Sequence, residues 1–424
     1  MREMKDSGVK WVGEIPSSWK VYKVKQIADS NNDVLPENYE EEQEIDYIEI
    51  GSVTYEHGVR TTEKMKFGNA PSRARRIVHN GDTIISTVRT YLKAIAYIDD
   101  SLADKIVSTG FSVVTPHKDV VAKFLYYALS THSFISNVEA HSVGISYPAI
   151  NNTNLMDLKI VLPMQREQIQ IASYLDAKCS KIDEIIEKQQ AIIKKLKEYK
   201  FSIITEAVTK GINPDVELKD STIDMCEQIP VHWSISQNRY LFSLRDEKNY
   251  KSLEEVRLLS LYTDLGVFPH GEQEERGNKA VKAEGYKVVY ENDIVVNIIL
   301  AWMGAIGRSA YDGVTSPAYD IYKPNENVCS RYYHYLYRTK PFSAECYKYG
   351  RGIMAMRWRT YSSEFKSIKV PVPPYIEQCQ IADYLDSKCE MLDKTIADRN
   401  KAIDKLQEYK KSLIYEVVTG KKEV

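Results

Sequence analysis

Glu167-Gln168-Ile169-Gln170-Ile171-Ala172-Ser173-Tyr174-Leu175-Asp176-Ala177-Lys178-Cys179 returns later in the chain as Glu377-Gln378-Cys379-Gln380-Ile381-Ala382-Asp383-Tyr384-Leu385-Asp386-Ser387-Lys388-Cys389. Downstream, Leu196-Lys197-Glu198-Tyr199-Lys200 returns as Leu406-Gln407-Glu408-Tyr409-Lys410. Near the start, Lys5-Asp6-Ser7 and Glu14-Ile15-Pro16-Ser17-Ser18-Trp19 return as Lys219-Asp220-Ser221 and Gln228-Ile229-Pro230-Val231-His232-Trp233. The offset stays at about 210 residues, so the chain is one unit written twice.

Past each copy of the Glu-Gln segment the apolar residues recur at alternating intervals of four and three. The first series is Leu175, Cys179, Ile182, Ile186, Ile193, Leu196 and Ile203; the second is Leu385, Cys389, Leu392, Ile396, Ile403, Leu406 and Leu413. Gln189 and Lys200 interrupt the first, Arg399 and Lys410 the second. This period is that of a coiled-coil seam. Pro163 and Pro373-Pro374 suit a helix start and Gly211 and Gly420 a stop. Each helix should run roughly 40 residues, about 60 Å at 1.5 Å per residue. A narrow stripe on so long a helix needs a partner, and its twin carries the same stripe. Antiparallel pairing within the chain is the economical arrangement; each helix packing on its own globular half is the other. The polar interruptions either fix register or sit where the pair splays and meets water.

Between the repeated segments lie mixed domains that share only traces. Val78 to Ile85 resembles Val289 to Val296, Phe124-Leu125-Tyr126-Tyr127 resembles Tyr332-Tyr333-His334-Tyr335, and Gly144-Ile145 echoes Gly352-Ile353. Strands are expected at 46–50, 83–88, 110–114 and 293–297, and helices at 124–130 and 331–337. The fold class is α+β: two β-rich domains, a pair of long antiparallel helices and an internal pseudo-two-fold repeat. The expected segments are 1–162 and 212–372 for the domains with their linker, and 163–211 and 373–424 for the helices. The tyrosine clusters among the chain's 30 tyrosines read as core packing.

Net charge is only −2 over 424 residues, but the charges are segregated. Residues 29–56 are acidic without a lysine or arginine, whereas 60–93 and 331–369 are basic. Segregation of this kind builds a local positive field on a near-neutral molecule. Arg73, Arg75, Arg76, Arg89, Lys93, Arg351, Arg357 and Arg359 are the candidate DNA contacts, because arginine binds phosphate and reads guanine in a bidentate manner. The alternative for each is an ordinary surface or salt-bridged side chain.

The segments quoted above, together with Ile85-Ser86-Thr87-Val88-Arg89, Ala301-Trp302-Met303-Gly304-Ala305-Ile306-Gly307, Ser316-Pro317-Ala318-Tyr319 and Met354-Ala355-Met356-Arg357-Trp358, make the chain similar to the specificity subunits of Type I restriction–modification systems over essentially its whole length. That resemblance implies two target-recognition domains reading the halves of a bipartite site in double-stranded DNA, with the helices setting the gap. It implies two modification subunits and two motor-nuclease subunits as partners, which would carry S-adenosylmethionine, ATP and magnesium; this chain would hold no cofactor or metal.

Catalytic motifs do not survive inspection. Val372-Pro373-Pro374-Tyr375 resembles an amino-methyltransferase core, but Val372 stands where an Asp, Asn or Ser should hold the amine. Pro214-Asp215-Val216-Glu217-Leu218-Lys219 places its carboxylates too close in sequence for a metal nuclease. No phosphate-binding Gly-x-x-x-x-Gly-Lys-Ser/Thr loop occurs. The expected function is therefore non-catalytic DNA recognition; a coiled-coil scaffold without sequence preference and an adenine methyltransferase are the alternatives. The six cysteines have no zinc-ligand spacing and read as reduced thiols. The absence of an apolar leader or spanning segment gives a cytoplasmic expectation.

The helix reading makes a mechanical prediction. Four residues inserted near Gln189 add about 6 Å of helix, which at 3.4 Å per base pair should lengthen the gap of the recognised site by roughly one or two base pairs. Sequencing of methylated sites checks it; binding that stays intact with an unchanged gap rejects a ruler.

Overall fold

Both long helices begin two residues beyond a proline, at Gln165 after Pro163 and at Tyr375 after Pro373. The computed structural model describes residues 2–263, 266–271, 283–352 and 358–424. The first helix runs Gln165–Lys210, 46 residues, and the second Tyr375–Val418, 44 residues, each slightly longer than periodicity predicts. Gly211 and Gly420 follow the helix ends with φ of +81° and +73°, the left-handed conformation that favours glycine.

The chain forms two compact units, Met1–Gln189 with Asn400–Val424, and Gln190–Arg399. Each unit therefore contains a stretch of both helices. In the first unit, Lys410 near the end of the second helix contacts both carboxylate oxygens of Asp183 at 2.7 Å. In the second unit, Lys200 near the end of the first helix contacts Asp393 at 2.6 and 2.7 Å. These are the same two repeat positions with their helices exchanged, so the pairing is antiparallel. Among the seam residues, Leu175, Cys179, Ile182, Ile186, Ile193, Leu385, Cys389, Ile403 and Leu413 are buried, and Leu196, Ile203, Leu392, Ile396 and Leu406 are half-buried. The interruptions at Lys200 and Lys410 are ion-paired across the helix pair; Gln189 and Arg399 are half-buried.

In the first unit a four-stranded antiparallel sheet has the order Ile95–Tyr97, Thr83–Ser86, Phe111–Pro116, Ala28–Ser30. A second sheet has the order Glu63–Lys66, Glu44–Ile48, Ile106–Ser108, Ala74–Ile77, with one parallel pairing between Ile106 and Tyr47. Ile48, Ile84, Val107, Phe111 and Val113 form a common core. Helices Ala122–Ser130 and His132–Ala140 follow.

In the second unit Phe242–Arg245, Tyr319–Pro324, Ile294–Asn297 and Ile306–Arg308 form the corresponding antiparallel sheet, followed by helices Ser330–Tyr337 and Lys340–Tyr349. Tyr332, Tyr333 and Tyr337 are fully buried in a core with Phe242, Phe342 and Phe365, as the tyrosine pattern predicts. Val372 ends strand Lys369–Val372, pairs with Ser234 and leads directly into the second long helix, so the Pro-Pro-Tyr segment is a helix start. The six cysteines are free thiols.

The repeated Glu-Gln pair has a structural explanation. Gln168 is buried; its Oε1 accepts from the Val121 N–H at 2.8 Å and its Nε2 donates to the Pro163 carbonyl at 2.9 Å. Gln378 does the same with the Cys329 N–H and the Pro373 carbonyl, both at 2.9 Å. One carboxamide thus fastens a long helix to the short helix before it in each copy. A Gln168→Leu or Gln378→Leu substitution leaves two buried backbone groups without partners, at about 1–3 kcal/mol for each group. Denaturant unfolding should show the loss. Wild-type stability in both variants would mean that the carboxamide contributes only its shape.

Candidate nucleic-acid interface

The basic candidates of the first unit occupy two kinds of position. Arg73, Arg75 and Arg76 lie just before and within the strand Ala74–Ile77. Arg73 pairs with Glu49, and the nearby Tyr47 hydroxyl leads the influences that raise its guanidinium above its ordinary pKa, with Glu49 adding to them. Arg75 lies 4.8 Å from the centre of the Phe67 ring. Arg76 is half-buried opposite Val107, and burial lowers its pKa from the ordinary value. These three side chains are thus partly engaged within the protein.

Arg89 and Lys93 are placed differently. They bracket the short turn Thr90–Leu92, which leaves the central strand Thr83–Ser86, and both have left-handed backbones with φ of +52° and +54°. Arg89 is exposed and lies 5.2 Å from the centre of the Tyr147 ring. Lys93 is half-buried, 3.5 Å from Glu139. The turn is bonded to the segment that carries Tyr147: Thr90 Oγ1 donates to Ser142 Oγ at 2.8 Å, and the Ile150 N–H donates to the Thr87 carbonyl at 2.9 Å.

In the second unit Arg351 and Arg359 face each other across an antiparallel bridge, with backbone hydrogen bonds of 2.8 and 2.9 Å. The Arg351 guanidinium is exposed and 2.9 Å from Glu364; Arg359 donates to the Trp358 carbonyl at 2.9 Å. Arg357 lies outside the described residues. The structure therefore separates the sequence candidates into strand-borne arginines and residues at the turn and hairpin. Sequence reading passed over the exposed apolar residues beside them: Tyr91, Leu92, Val143, Ile145 and Tyr147. Their only signal was the Gly144-Ile145 echo.

A sequence model of the Type I restriction modification DNA specificity domain matches residues 16–205. A putative type I restriction enzyme MjaX specificity subunit from Methanocaldococcus jannaschii is 24% identical, with 97% of this chain and 95% of that protein aligned. The MjaIX specificity subunit of the same organism is 26% identical over 44% of this chain and 43% of its own length. The solved HsdS subunit from Thermoanaerobacter tengcongensis superposes with a TM-score of 0.54 at 18% identity, covering 96% of this chain and 98% of that one. A chain from a solved structure concerned with complex assembly and conformational transition of the type I R-M system superposes with a TM-score of 0.73 at 17% identity, over 96% and 99% of the two chains. The chain is thus similar to Type I specificity subunits over nearly its whole length, and the domain model covers its first half.

The repeated segments build the frame around the candidate interface. Trp19 and Trp233 of the two Ile-Pro-x-x-Trp motifs are both buried. Trp19 lies against Gly420 at the end of the second helix, and Trp233 against Gly211 at the end of the first. Tyr127 donates to Asp176 at 2.6 Å, and Tyr335 to Asp386 at the same distance, holding a domain helix on a long helix in each copy.

The Lys410–Asp183 and Lys200–Asp393 pairs are partly exposed, so each should contribute about 0.2–1 kcal/mol. A Lys410→Asp variant should unfold earlier, and adding Asp183→Lys should restore much of the loss. A double-mutant cycle in low salt measures this coupling; zero coupling would mean that the pairs do not stabilise the helix packing.

Proposed function

We propose that this chain is the DNA-sequence-reading subunit of a Type I restriction–modification complex and takes no part in bond making or breaking. The observation that carries the reading is a frame written twice around two unlike surfaces. The glutamine clamp, the tryptophan–glycine contact and the lysine–aspartate pair recur at equivalent positions. The residues at the turn and hairpin do not: Arg89 and Lys93 in one copy stand where Leu300 and Gly304 stand in the other. Identical supports with different exposed side chains suit a protein that applies one docking geometry to two half-sites of different sequence.

On this reading 1–162 and 212–372 each take one half of a split duplex target, and the helices at 163–211 and 373–424 set the gap. Backbone phosphates would supply most of the affinity and base edges the selectivity. Two modification subunits and two motor-nuclease subunits would dock on the chain and bring S-adenosylmethionine, ATP and magnesium. No helix among the described residues is long and apolar enough to cross a membrane, and the cytoplasm is the proposed compartment.

The test is to co-express the chain with its modification subunits and sequence the methylated sites, then replace residues 20–160 by the matching part of another specificity subunit. One bipartite motif is expected, with a new sequence in one half after the exchange. Equal affinity for all duplexes at fixed salt, or an unchanged motif after the exchange, favours a scaffold without sequence preference. Methyl transfer by the purified chain alone would establish a methyltransferase.

A further inference from the structure

The segment Ser142–Ile150 is a hairpin whose tip is apolar and faces solvent. Val143 and Ala149 pair across it with backbone hydrogen bonds of 2.8 and 3.0 Å, and Gly144 turns it with φ of +114°. Beyond the bridge Ile145 is fully exposed, Val143 is 80% exposed and Tyr147 is 67% exposed. Such side chains cost solubility without contributing to a core, and their grouping marks a contact surface.

The hairpin is fastened at its base. Its base is fixed to the strand–turn segment by the Ile150–Thr87 and Thr90–Ser142 hydrogen bonds. Ser142 Oγ also donates to the Val138 carbonyl at 2.8 Å. Arg89 lies over the Tyr147 ring, so guanidinium and aromatic ring project together. The second copy repeats this staple: Arg351 and Arg359 form the bridge, and the Thr360 N–H donates to the Ile298 carbonyl at 2.9 Å. Five residues lie between the bridged pair in the first copy and seven in the second. The support is held constant while the sequence between the bridged residues changes in length and composition.

The turn carries a second sign of use. Its closing position in the second copy is Gly304, at φ +86°, where glycine costs nothing. In the first copy the same position is Lys93, and the opening position is Arg89, both in a conformation that L side chains resist. Two cations are thus kept at strained positions beside the hairpin. Residues 87–94 and 141–152 contain Arg89, Lys93 and His141 and no carboxylate; the neighbouring Glu139 is engaged by Lys93.

We propose that the hairpin Ser142–Ile150, together with the turn Arg89–Lys93, is the base-reading head of the first unit. It enters a groove of the DNA duplex, with Ile145 and Tyr147 against base edges and Arg89 on the acidic backbone or a guanine, while Lys93, paired with Glu139, supports the turn. The charge fits a polyanion, and the exposed apolar tip fits the apolar contacts by which proteins distinguish bases. This inference rests on the function proposed above and adds the residues that set one half of the sequence.

The experiment uses the full chain co-expressed with its modification subunits, carrying Ile145→Ala, Tyr147→Ala or Arg89→Ala singly and together. Methylated genomic sites are sequenced, and binding is measured on duplexes altered in one half-site at a time. Because the replaced side chains are exposed, wild-type unfolding temperatures are expected. Relaxed base preference at one or two positions of a single half-site, with tenfold or greater loss of discrimination there, is the expected result. The other half and the gap should stay as in wild type. A triple variant that keeps the wild-type motif at full stringency overturns this proposal alone. So does uniform weakening on all sequences, which marks a phosphate anchor. If the wild-type complex shows no bipartite motif, the functional reading falls and this one with it.

Discussion

Two helices of 46 and 44 residues cannot hide their own apolar stripes. A stripe of Leu175, Ile182 and Ile186 on a single helix would stay in water, and helical propensity alone would not hold so long a rod. Pairing with the twin stripe removes both from solvent at once, and the other features of the frame follow from it. Because the sequences are repeats, an antiparallel pair presents the same contacts at both ends. Asp183 meets Lys410, and Asp393 meets Lys200. The buried carboxamides of Gln168 and Gln378 then join each helix start to a domain helix without leaving backbone groups unpaired.

The frame was legible in the sequence because the same physical demand is met twice. Coiled-coil spacing, the prolines before the helices and the glycines after them each have one structural meaning, and the copies corroborate one another. What escaped notice was repetition too short to stand out. Thr131 caps the helix His132–Ala140 through the Phe134 N–H, and Thr339 caps Lys340–Tyr349 through the Phe342 N–H. A Thr-x-x-Phe pair is only two matching residues, though both phenylalanines prove fully buried. Helix lengths were underestimated because the last turns beyond Ile203 and Leu413 pack on domain residues as well as on the seam; Ala207 and Val208, for example, share a core with Trp233 and Tyr332.

The site was legible only in part, for the complementary reason. Charge runs mark where cations are dense, not which ones are free to meet a ligand. Arg73 is taken by Glu49, Arg75 lies on Phe67 and Arg76 is half-buried. Arg89 is exposed, and it sits at a backbone position that no local pattern encodes: a left-handed residue is expected to be glycine, and here it is not. Ile145 and Tyr147 carry no polar signature, so hydropathy would place them indoors. Only the bridge between Val143 and Ala149 turns them outward.

The composition of the first compact unit has a consequence for biosynthesis. Residues 190–399 form a unit from one uninterrupted stretch, whereas residues 1–189 share theirs with 400–424. Residues 1–189 must therefore wait until residues 400–424 have been synthesised for Gly420 to cover Trp19 and for Ile403 and Leu413 to reach their places. Until then the nascent protein carries an uncovered apolar strip, and the second unit can mature before the first. A stop codon near position 399 would thus damage residues 1–189 more than residues 190–399.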